Sequence, residues 1–112
     1  MRKFFAISTA VLAVACGSAW ADECVLDGEA PTMPDPATAT ADDISSTIAS
    51  IKAYQGALGA YRDCLDVIVN NKKLEKDVRQ AALDKFNASV DAETEMVEEW
   101  QAFHSAYQEA QS

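Results

Sequence analysis

The chain has 112 residues, nine basic against eighteen acidic, with one histidine, three cysteines and a net charge of −9. That length bounds it to one small domain with a modest core. The acidity argues against nucleic acid and anionic membrane surfaces, which select basic patches, and favours solubility or a basic partner.

Residues 1–21 read as a secretory signal peptide. Arg2 and Lys3 give the positive start, residues 4–15 the apolar run, and Ala19-Trp20-Ala21 a small-x-small cleavage site. Cleavage after Ala21 removes Cys16 and leaves Cys24 and Cys64, an even count suited to an oxidising compartment. It also removes Arg2 and Lys3, so seven basic residues face eighteen acidic ones, a net charge of −11. Downstream, no apolar stretch approaches the ~20 residues of a membrane span, so no transmembrane helix is expected after signal removal. A second reading takes Val14-Ala15-Cys16-Gly17 as a lipoprotein-type site with a lipid anchor on Cys16. Ala13 stands there where such sites usually carry Leu or Val, and the Ala21 site is the better match. The expected address is the bacterial periplasm or the exterior.

Residues 22–40 form the next segment. Pro31, Pro34 and Pro36, with little apolar periodicity, predict an extended, partly polyproline-like arm. Thr40 then reads as a helix cap, with Asp42 and Asp43 at the positive end of the helix dipole.

Residues 41–112 predict a helical hairpin with helices over about 41–70 and 74–110. In the first helix Ile44, Ile51, Leu58 and Leu65 recur every seventh residue, and Thr47, Tyr54, Tyr61 and Ile68 follow three later. This is a heptad seam. Asn70-Asn71-Lys72-Lys73 reads as a turn. The second helix offers Val78, Ala82, Leu83, Phe86, Val90, Val97, Trp100 and Tyr107, with Met96 and Phe103 alongside. The predicted fold is therefore all-α: an antiparallel, coiled-coil-like two-helix hairpin. Folding about Asn71 sets Leu65 near Val78, Leu58 near Leu83 and Phe86, Ile51 near Val90, and Ile44 near Val97 and Trp100. Glu93 falls on this seam and is expected at its edge, stem packed and charge in water.

Thr40 to Cys64 spans about 36 Å of helix, and an extended arm at ~3.1 Å per residue covers that distance. The arm is thus expected to turn back at residues 38–40, run antiparallel to the first helix and join Cys24 to Cys64. A stripe of Ala49, Ala53, Gly56, Ala57, Ala60 and Cys64 offers a track of small side chains, with Gly56 on it and Gly59 off it. No Cys-x-x-Cys occurs, so the pair reads as a structural bridge and not a redox centre.

No catalytic set converges. His104 stands alone, without ligands at helical spacing, so neither metal nor cofactor is expected. Asp91, Glu93, Glu95, Glu98 and Glu99 read as a solvated face, with docking of a basic partner or cation binding as the functional alternative. Lys72, Lys73, Lys76 and Arg79 make the turn end basic by contrast. Phe103 and Tyr107, with Trp100, extend past the start of the first helix. They are expected to pack on Met33, Pro34 and Pro36, and would form a partner surface if exposed.

Together, the early cysteine, the arm Ala30-Pro31-Thr32-Met33-Pro34-Asp35, the phrases Ile51-Lys52-Ala53-Tyr54-Gln55 and Tyr61-Arg62-Asp63-Cys64-Leu65, and Lys85-Phe86-Asn87-Ala88-Ser89-Val90-Asp91 resemble a family of small uncharacterised exported proteobacterial proteins. Trp100-Gln101 departs from that pattern, where a second Phe-Asn-like phrase is expected. The resemblance implies no activity and carries over no catalytic residue. The function expected is non-enzymatic: a structural or protein-interaction element of the cell envelope, partnered by another envelope protein or by itself as a dimer. The alternative is a periplasmic small-ligand or cation carrier using the carboxylates of the second helix.

Overall fold

A computed structural model describes residues 24–112. Residues 1–23, where the signal segment and its cleavage site are expected and where Cys16 stands, lie outside the described residues. Among the described residues two helices account for the regular structure: α1, Ala41–Val69, and α2, Lys76–Gln111. They pack against each other as an all-α hairpin, with residues 24–40 as an irregular arm.

Thr40 starts α1 as expected. Its Oγ1 accepts from the Asp43 backbone N–H at 3.1 Å, and the Asp43 carboxylate accepts from the Thr40 N–H at 2.9 Å. This reciprocal capping box satisfies two otherwise unpaired donors, and Asp42 and Asp43 complement the dipole. At the other end the Asn70 backbone N–H and Nδ2 both donate to the Asp66 carbonyl, while Asn71 bonds back to Ile68. The turn is longer than the four residues expected. The Lys73 N–H donates to Asn71 Oδ1 and the Leu74 N–H to the Asn71 carbonyl, so residues 70–75 belong to the turn and α2 starts at Lys76, not Leu74.

The α1 seam is as expected: Thr47, Tyr54, Leu58, Leu65 and Ile68 are buried and Ile51 and Tyr61 half-buried. The α2 seam is corrected. Its buried residues are Ala82, Ser89, Met96 and Phe103, spaced by sevens, whereas Leu83 and Val90 are 36 % and 40 % exposed. The helix is rotated so that its small residues meet α1 near the turn. Ser89 tolerates this because its Oγ donates to the Phe86 carbonyl at 2.6 Å.

Two clusters make the core. Near the turn, Cys24, Leu65, Ile68 and Ala82 are surrounded by Tyr61, Cys64, Val69, Leu74, Val78 and Phe86. Further along, Tyr54, Leu58 and Met96 gather with Ile51, Val97, Leu26 and Met33. Leu65 and Val78 both belong to the cluster nearest the turn. Tyr54 clusters with Met96, however, where folding about Asn71 calls for residue 89, so the register has slipped by about one heptad. The lengthened turn supplies part of that slip. Burying the Leu58 and Leu65 side chains contributes about 2 kcal/mol each.

Candidate interaction site

Cys24 and Cys64 are bonded, with Cα atoms 5.6 Å apart and a sequence separation of 40. The arm turns at Asp35, slightly before the expected place: the Thr38 and Ala39 N–H groups donate to the Asp35 carbonyl and the Ala37 N–H to its carboxylate. From there it runs back antiparallel to α1, as its length requires.

Its path differs from the small-residue track. A side chain added at Gly56 or Gly59 would meet nothing within 4 Å, and Gly56 is exposed. The arm lies instead over the seam between the helices, where Leu26 shares a hollow with Leu58 and Tyr61 of α1 and Lys85, Ala88, Ser89 and Ala92 of α2. Leu26 and Met33 bury apolar surface there, which backbone contact with a glycine stripe would not provide.

This gives the hairpin two unlike flanks. At about 100° per residue, Tyr61 and Cys64 of α1 and Lys85, Ala88 and Ala92 of α2 project to the side the arm covers. Ile44, Ile48, Ile51, Gln55, Arg62 and Val69 of α1 project to the other side, as do Arg79, Leu83, Val90, Glu93 and Val97 of α2. On this open flank Glu93 accepts from Arg62 Nη2 and, at 3.2 Å, from Gln55 Nε2. The seam-edge position expected of Glu93 is correct, and the cross-helix partners were not foreseen. They stitch α1 to α2 on the side that has no arm.

Apolar surface lies exposed around this bridge. Ile48, Leu83 and Val90 are exposed, and Ile51, Val69 and Val97 half-buried. Two shallow hollows flank it on α2. One is lined by Val69, Lys76, Arg79, Gln80 and Leu83, the other by Val90, Glu93, Thr94, Val97 and Glu98. Each has an apolar floor. One rim is basic and the other acidic.

At the aromatic end Phe103 is packed, the first of the two expected arrangements, and not exposed as partner surface. Phe103 is buried, while Trp100 and Tyr107 are half-buried. The slipped register draws Phe103 down alongside α1. Trp100 and Phe103 rings lie 5.5 Å apart, Phe103 and Tyr107 6.0 Å, and the exposed His104 stacks on Trp100 at 5.5 Å. The site is therefore a half-covered aromatic column leading off the open flank, and Phe103 is not part of its surface.

Among the described residues no three His, Cys, Asp or Glu side chains gather as a metal would require, and the carboxylates of α2 are strung along the helix. No described helix is long and apolar enough to cross a membrane. Comparison of the chain with family models, curated proteins and solved structures finds no match.

Proposed function

We propose that this protein is a non-enzymatic, exported element of the bacterial envelope that acts by binding another protein through its open flank. The supporting observation is the asymmetry of the hairpin. One flank is closed by a disulfide-tied arm, while the other leaves Ile48, Leu83 and Val90 exposed in line with half-buried neighbours. A row of apolar residues between polar rims is what a helical partner covers. The bridged cysteines, together with the signal-like start, support an oxidising destination. The strung-out carboxylates give the cation-carrier reading no comparable support.

The test is a photo-crosslinking residue placed at Val90 in the intact cell, with Val67 on the outer face of α1 as the control position. A defined protein adduct from position 90 and none from 67 is the expected result. Absence of any adduct from position 90 would sink the proposal.

A further inference from the structure

The open flank carries a pattern that specifies its own partner. Along α2, Leu83, Val90 and Val97 fall at heptad spacing, so Val90 is the midpoint of the apolar row. The charges around that midpoint are opposite at its two ends: Lys76 and Arg79 rim the Leu83 hollow, and Glu93 and Glu98 rim the Val97 hollow. Asp66, at the edge of this flank, lies toward the basic end of α2, while Lys52, toward the acidic end, projects from the outer face of α1. The Arg62–Glu93 bridge fixes which part of α1 is level with which part of α2.

A surface whose charge changes sign about its centre is complementary to itself after a half-turn. We propose that the occupant of the open flank is a second copy of this chain, docked antiparallel about a two-fold axis at Val90 to form a four-helix bundle. This rests on the reading of the flank as a protein-binding surface and names its partner.

In this arrangement the two Val90 side chains meet at the axis. Leu83 of each copy enters the hollow beside Val97 of the other. Arg79 comes within about one helical turn of Glu98 of the second copy. Each contact occurs twice. A parallel arrangement that set α2 on α2 would place Arg79 against Arg79 and Glu98 against Glu98, whereas the antiparallel one pairs Arg79 with Glu98, the contact that the charge swap below tests. The net charge, −9 for the full chain and −11 without residues 1–21, opposes association at long range. At 0.15 M salt that repulsion is screened beyond about 8 Å, whereas contacts at the rims survive.

A charge swap across the two-fold is the decisive experiment. Arg79→Glu puts like charges at both Arg79–Glu98 contacts of its own homodimer, and Glu98→Lys does the same. Mixed together, the two variants restore both contacts. Sedimentation equilibrium on the oxidised protein at 0.15 M salt should show a dimer for the unaltered chain, each variant alone weakened by about tenfold or more, and recovery in the equimolar mixture. Val90→Asp, on a side chain already 40 % exposed, should give a folded monomer whose melting temperature no longer depends on protein concentration. A chain monomeric at every attainable concentration, or variants that fail to rescue each other, would overturn the second copy as partner. If position 90 still crosslinks to a different protein, the binding surface stands and only its occupant is wrong. If it crosslinks to nothing, both readings fall together.

Discussion

Reducing the Cys24–Cys64 bridge is the perturbation whose size follows most directly from the structure. The bridge closes a loop with a sequence separation of 40, built from the arm and most of α1. On the chain-entropy model a loop of that length stabilises the folded state by about 4 kcal/mol, because the reduced unfolded chain gains the freedom the bridge denies it. Domains of this size are stable by about 5–10 kcal/mol in total. For a chain this short each kcal/mol is worth about 4–8 °C, so reduction should lower the melting temperature by about 15–30 °C. Release of the arm follows, since Cys24 is itself buried and Leu26 and Met33 behind it cover the seam. Circular dichroism melts with and without reductant, at low protein concentration and with thiol release confirmed by mass, measure the shift. An unchanged melting temperature in the confirmed dithiol would refute the reasoning. So would a large drop that the Cys24→Ser, Cys64→Ser double variant fails to reproduce.

Three further outcomes are expected from denaturant unfolding. Gly56→Ala should raise stability by about 0.5–1 kcal/mol, because the added methyl meets nothing and the helix loses a flexible residue; destabilisation would mean that the arm lies there after all. Thr40→Ala should cost about 1 kcal/mol through loss of the capping box, and Thr40→Ser should retain most of it. Arg62→Ala and Glu93→Ala, combined in a double-mutant cycle, should show a coupling of about 0.5–1 kcal/mol, as both side chains are partly solvated; a coupling of zero would remove the stitch on the open flank.

The parts of the fold legible in the sequence are those where one signal dominates. The α1 heptads are large and apolar, and Thr40 with Asp42 and Asp43 marks its start. Length alone brings Cys24 to Cys64. In α2 the signal divides. Leu83 and Val90 are the most hydrophobic residues in their turns, yet Ala82 and Ser89 occupy the interface, because close approach of α1 and the arm selects small side chains over apolar ones. No periodicity based on hydrophobicity marks a serine as core. The register slip is not marked either, since part of it comes from the lengthened turn. The small-residue stripe of α1 was misleading for the opposite reason. Small residues permit close approach without compelling it, and Leu26 and Met33 in the arm were the better guide to its path. Glu93 stood out as a mismatch in the seam, but only the slipped register reveals Arg62 and Gln55 as its partners.

The bridge also determines how the molecule would carry a mechanical load. A pull on the chain upstream of Cys24 does not stretch the arm. It passes through sulfur into α1 at Cys64, then through the last turns of that helix and residues 70–75 into α2. The arm and the first four fifths of α1 sit in a closed side-loop that bears no tension, while all force between the two ends is borne by α2 sliding along its neighbours. A helix that bears the whole load is held only by side contacts: the buried Ala82, Ser89, Met96 and Phe103, and Arg62 with Gln55 on Glu93. Under tension the hairpin would therefore yield by shear along one interface, leaving the covalent ring and its covered flank folded.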